Sequence, residues 1–214
     1  MNAPFPSSPA PAPAVADVIQ AGAQAEARGW VPATAGNFSA RVNARQIAIT
    51  RSGADKGALT PNDIWFQDLD APLRPGSSAE AELHLRLYRD HPDIGAVLHV
   101  HSLGAVVVGR AQAEVGAVRL EGRELQKALR GVTTHEAALE VPIFANDQDV
   151  SALAERVARR LAEAPVAPLT RAPGYLLAGH GLYAWGRDAR EAWRHLEALE
   201  TLFQQILSYR SFRP

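Results

Sequence analysis

Residues 77–105 read SSAEAELHLRLYRDHPDIGAVLHVHSLGA. Apolar side chains recur at helical spacing from Ser77 to Asp93, with serine available as an N-cap and Pro92 as a stop. From Ala96 the run is short, apolar and rich in valine and leucine, which predicts a buried strand. LGAVVVGRA, from Leu103, predicts a second helix, buried this time. Helix, strand and helix in direct succession place a sheet between helical layers.

The same reading extends in both directions. AVADVIQAGAQAEARGW (residues 14–30) has helical spacing and a C-cap at Gly29, while GNFSARV (36–42), QIAIT (46–50) and DIWFQD (63–68) predict strands of one meander. On the C-terminal side, LEGRELQKALRG (120–131) is helix-like, ALEVPIFAND (138–147) a strand and SALAERVARRLAEA (151–164) an amphipathic helix. GYLLAGHGLYAWG (174–186) predicts two strands joined at a Gly-His-Gly turn, and residues 188–209 a long helix. Several neighbouring strands are close enough for hairpins. The fold expected is an α/β three-layer α/β/α sandwich around a mixed, mostly antiparallel central sheet. One domain over residues 15–214 is expected behind a disordered, Pro/Ala-rich tail at residues 1–14.

Composition narrows the partners. The chain has 214 residues and a formal net charge of -1, with no broad electrostatic reason to bind nucleic acid or an anionic membrane. Without cysteine, disulfides and thiolate metal sites are excluded, so a metal needs His, Asp or Glu. No stretch approaches the roughly 18 apolar residues of a spanning helix. The N-terminus makes a poor signal peptide, and a cytoplasmic location is expected. Of the 22 basic residues only Lys56 and Lys127 are lysines, both inside segments that carry other candidates.

His99 and His101 project from one strand face while Leu98, Val100 and Ser102 take the other. Such a pair is either satisfied by hydrogen bonds in a core or shares a metal ion, and the pair alone does not decide. His180, between glycines that let the backbone approach closely, supplies a third imidazole. Three neutral nitrogens without cysteine form the donor set of a catalytic zinc site with an open position, with iron and manganese left open by ligand type. Glu80 and Glu124 are candidate proton carriers, though periodicity fits a solvated surface equally well. Lys127 lies three residues from Glu124 on roughly the same helical face. TAGNFS (34–39) and RSGADKG (51–57) offer small residues and free N–H groups of the kind that cradle anions, and neither matches a P-loop or dinucleotide fingerprint. His84, His91, His135 and His195 read as structural or solvent-facing.

Taken in order, TAGNFSAR, TRSGADKG, SSAEAELHLRLYRDHPDIGAVLHVHS and GYLLAGHGLYAWG resemble the class II aldolase superfamily from about Val15 to Leu207. SGADKGALTPNDI and LEGRELQKAL are closer to its dehydratase branch than to its sugar-phosphate aldolases or epimerases. The resemblance implies one Zn2+ per subunit on His99, His101 and His180. It also implies phosphate contacts at Asn37, Ser52, Gly53 and Ser78. Ala79 interrupts the family's serine pair, and Lys127 is a candidate to replace that contact. Glu124 corresponds to the dehydratase acid/base, whereas in the aldolases the Glu80 position serves the metal or the proton transfer. The implied activity is loss of water from a 2-keto sugar phosphate, with aldol cleavage or epimerisation as the alternative. The implied assembly is a homotetramer whose site lies near a subunit boundary.

Overall fold

The computed structural model describes residues 12–211. Helix α1 (Ala12–Ala27) precedes strands β1 (Asn37–Asn43), β2 (Gln46–Thr50) and β3 (Ile64–Asp68). Helix α2 (Ala81–Asp90), strand β4 (Ala96–Val100), helix α3 (Leu103–Ala111) and strand β5 (Ala117–Leu120) follow. Strand β6 (Leu139–Phe144), helix α4 (Val150–Ala162), strands β7 (Thr170–Arg171), β8 (Gly174–Leu177) and β9 (Gly181–Gly186), and helix α5 (Ala189–Ser211) complete the order.

The strands form one nine-stranded sheet in the order β3-β2-β1-β4-β9-β8-β6-β5, with β7 on β6. Pairing is antiparallel except where β6 meets β7 and β8. Two hydrophobic clusters sandwich this sheet. Val18 of α1, Ala105 of α3 and Leu196 and Leu199 of α5 pack with Phe38, Leu98 and Leu182 on one face. Leu83 and Leu87 of α2 and Leu153 and Val157 of α4 pack with Val97, Tyr175 and Tyr183 on the other. The architecture is therefore the mixed three-layer α/β sandwich. Period-two alternation along β4 sends Leu98 and Val100 toward α1, α3 and α5, and leaves Val97 and His99 facing the opposite layer.

Several boundaries differ from the sequence reading. Helix α1 starts at Ala12, inside the expected tail, because Ala14 is already buried against the core. The remainder of that tail lies outside the described residues. Helix α2 begins only at Ala81, with Glu80 in the cap position and no side-chain cap bond. Ser78 instead accepts the Glu80 backbone N–H at 3.3 Å. LEGRELQKALRG yields a 3-10 turn, Glu124–Ala128, rather than an α-helix. Strands β5 and β7 have no counterpart in the sequence reading. They are short, and their place is set by pairing with β6 rather than by their own sequence.

A candidate metal centre beside two anion loops

The C-terminal end of β4 and the β8–β9 turn meet where the sequence places histidines. His99 pairs across the sheet with Tyr183 of β9 and with Asn37 of β1. Its ring is fully buried and stacks on Tyr183 at 3.9 Å, and Tyr183 stacks on Tyr175 at 4.7 Å. That column of rings fixes the imidazole plane. His99 Nδ1 lies 3.0 Å from the Leu182 carbonyl oxygen, and His180 Nδ1 lies 3.0 Å from Asn146 Oδ1. Both neighbours are acceptors, so both Nδ1 atoms carry a proton and Nε2 is the atom each ring can offer to a metal.

Those Nε2 atoms converge. His101 Nε2 lies 2.9 Å from His99 Nε2 and 3.0 Å from His180 Nε2. Glu80 Oε1 lies 2.9 Å from His180 Nε2, and Glu80 Oε2 is 3.7 Å from His99 Nε2. Lone pairs and a carboxylate at these separations repel, and the single proton available on His101 Nε2 can relieve only one contact. A cation between them relieves all of them together. Ligand bonds of about 2.0–2.1 Å to one ion put tetrahedral donor atoms about 3.4 Å apart, close to the spacing here. The donor set of His99, His101, His180 and Glu80, whose ligand atoms lie within 4.8 Å of one another, therefore fits a divalent metal.

The electrostatics favour the same state. Burial holds His99 well below the usual imidazole range, opposed by Glu80 and assisted by the neighbouring histidines. Burial likewise lowers His101, to about 4, with His180 adding to the effect. Burial raises Glu80, but a proton on His180 Nε2 and the positive charge the histidines carry when protonated outweigh it and bring the carboxyl down to about 2, a role a bound cation would take over. His99 and His101, held neutral by burial beside a carboxylate, are ready metal ligands. Asn37 Nδ2 donates to Glu80 Oε2 at 2.7 Å and orients it, while Asn37 Oδ1 is buried without a partner.

A cavity of about 290 Å³ opens from His101 and Glu80. Asn37, Ser52, Gly53 and Ser78, all named from the sequence, line it together with Lys56. The positive φ of Gly53, +70°, exposes backbone in the loop. Lys56 is 2% exposed, and its ammonium donates to Thr34 O and Ala54 O, each at 2.7 Å. Burial lowers its pKa, offset by Asp55 and Glu80. The scarcity of lysine and its place inside the RSGADKG loop were the sequence signals for this residue.

Glu124 and Lys127 are not brought to this cavity within one chain. They pair with each other at 2.6 Å on the 3-10 turn after β5, with Glu124 72% exposed and 3.8 Å from His135. The segment continues toward the opposite end of β4, where Arg130 meets Asp93. Of the histidines read as structural or solvent-facing, His84 and His195 are fully buried and His135 is exposed.

The fold and its histidine–carboxylate cluster define a class: the chain belongs to the class II aldolase and adducin N-terminal domain family, whose model matches residues 16–207. The family is metal-dependent. A methylthioribulose-1-phosphate dehydratase of Bradyrhizobium sp. (strain BTAi1) is 58% identical over 207 residues, which span 92% of this chain and 96% of that protein. Another dehydratase of the same name, from Parvibaculum lavamentivorans, is 48% identical across 94% of this chain and 97% of its own length. Among solved structures, an L-fuculose-1-phosphate aldolase from Thermus thermophilus is similar with a TM-score of 0.76 and 30% identity, covering 95% of this chain and 98% of that one.

Proposed function

We infer that this chain is a methylthioribulose-1-phosphate dehydratase, a hydro-lyase of methionine salvage. It converts 5-methylthioribulose-1-phosphate to 2,3-diketo-5-methylthiopentyl-1-phosphate and water. The observation that carries the reading is one cavity that joins a three-imidazole donor set to two anion loops. A small molecule with a chelating carbonyl at one end and a phosphate at the other fits it, and the relatives' name supplies which molecule.

One metal ion, Zn2+ by the donor set, would be held by His99, His101 and His180 and would supply Lewis-acid polarisation of the C2 carbonyl. Asn37, Ser52, Gly53 and Ser78 hold the phosphate by backbone N–H groups and short polar side chains. Glu124 removes the C3 proton onto its carboxylate and returns a proton to the C4 hydroxyl, which departs as water. The resulting enol ketonises to the 2,3-diketone, and the atoms balance. Because Glu124 lies off the cavity of its own chain, it acts on a neighbouring subunit of a homotetramer, and Lys127 travels with it. Glu80 stays with the metal ligands, held by Asn37. The chain works in the cytoplasm on this small molecule, with no nucleic acid or membrane partner.

One observation favours a second reading. Glu80, the acid/base position of the sugar-phosphate aldolases, sits directly among the histidines. Incubation of the metal-loaded protein with methylthioribulose-1-phosphate and, separately, with fuculose-1-phosphate or ribulose-5-phosphate separates the two. The dehydratase forms diketone from the first substrate only. Release of dihydroxyacetone phosphate, or epimerised pentose phosphate, assigns the chain to the aldolase or epimerase class instead.

A further inference from the structure

We propose that Lys56 is the buried cation that anchors the substrate's phosphate group and locks together the two loops that hold it. An ammonium has three N–H donors in a compact head. Two are committed to Thr34 O and Ala54 O, one on each loop. The third is left for the cavity that Lys56 lines beside Ser52, Gly53 and Ser78. Arg51 also lines this cavity, but its Nε is bound to Asp63 at 2.8 Å and its side chain is 47% exposed, so water screens its charge. Lys56 is thus the cavity's one buried full positive charge among the described residues.

The loop it grips is strained. Ala33 and Thr34 adopt left-handed φ values of 53° and 64°, which is uncommon for any residue with a side chain and more so for a β-branched one. Such a conformation persists only where its surroundings over-determine it, and the Lys56 bond to Thr34 O does so at the second strained residue. Gly22 of α1 completes the fit, since a Cβ there would lie 2.5 Å from the Lys56 carbonyl oxygen. A methylene stem buried to its tip, ending in two backbone carbonyls and a cavity, carries a charge that Asp55 and Glu80 offset only in part, and an anion in the cavity would complete its pairing. An arginine at this position would need room for a planar fork, and the chain, otherwise rich in arginine, places lysine here.

The identity of the phosphate carrier rests on the dehydratase reading, whereas the anion site itself does not. The probe is therefore inorganic phosphate. Lys56 and Lys127 are the chain's two lysines, so protein labelled with 13C and 15N at lysine gives two side-chain head signals. Titration of phosphate into the protein as purified is expected to shift the Lys56 signal saturably, whatever the response of Lys127, which travels with Glu124. Lys56→Gln keeps donors for the carbonyls without the charge, and Lys56→Met keeps neither. Both are expected to weaken phosphate binding at least tenfold, and to raise KM for a phosphorylated substrate more than they lower kcat. An unmoved Lys56 signal at saturating phosphate overturns the proposal, as does a folded Lys56→Gln protein with wild-type phosphate affinity. Where the variants do not fold, the labelled wild-type protein decides alone. If wild type binds phosphate through Lys56 yet forms no diketone, the dehydratase reading fails and the anion site stands.

Discussion

His84 shows how far burial alone can push a side chain in this fold. Its ring is fully buried, Nδ1 meets Ser39 Oγ at 2.7 Å, and Nε2 has no partner. Burial, opposed by Glu80, lowers its pKa from 6.5 to about 3. Between those values the unfolded chain binds a proton that the folded chain refuses, so stability falls as pH drops through this window. The slope from one such group is at most about 1.4 kcal/mol per pH unit. Urea unfolding from pH 7 to pH 4 is expected to show a shallower acid loss in His84→Gln than in wild type; equal slopes would remove His84 from the account. Glu124→Gln is expected to leave metal content unchanged and to cut kcat by about 10²–10⁴, the usual worth of a general acid/base. Full activity in that variant would reassign the proton transfer. The three histidines that converge with Glu80 stood out in the sequence because HVH and GHG are local patterns with fixed geometry. Asn146, which sets the His180 tautomer from just beyond the end of β6, was not, because 34 residues separate the two.

At the level of elements, the site exists because strands approach closely at glycine. Gly36 has φ +76°, and a Cβ there would lie 2.5 Å from the His99 carbonyl oxygen. Gly36→Ala therefore meets both a strained backbone and a clash with the His99 carbonyl. The expected cost exceeds about 1 kcal/mol, with reduced metal retention. Thermal unfolding and metal analysis of the purified variant check both, and a variant with wild-type stability and metal content would show that this approach is not needed. The strong elements were legible from period: β4, β8 and β9 as short apolar runs, α4 as an amphipathic helix and α5 as a long one. Strand β5 was not, since AVRL is four residues long with Arg119 on its exposed side. The parallel contact of β6 with β8 also escaped, because register between distant strands is decided by packing, here Ile143 against Leu176. The start of α2 shifted for a chemical reason. Glu80 keeps helical dihedrals, but the carbonyls of Ser78, Ala79 and Glu80 accept the tighter i→i+3 bonds from Ala81, Glu82 and Leu83, so the α-helix proper begins one turn late.

For the whole molecule, the separation of Glu124 from the cavity is the decisive feature. Sequence placed both glutamates as candidates and could not divide their roles, because their distance from the histidines depends on where 3-10 turns and sheet edges lie in space. If Glu124 serves a neighbouring copy, His99→Ala and Glu124→Gln subunits, each inactive alone, are expected to regain activity when co-expressed in one assembly. Mixed assemblies that stay inactive would confine each site to a single chain. The central claim, metal-dependent dehydration at the His99–His101–His180 cluster, is tested most directly by following diketone formation from methylthioribulose-1-phosphate while metal is stripped with chelator and restored in steps. Activity is predicted to vanish on stripping, to return in proportion to Zn2+ up to one ion per chain, and to be absent with the metal content in His99→Ala. Diketone formed at full rate by stripped protein, or by a His99→Ala variant without metal, would contradict it.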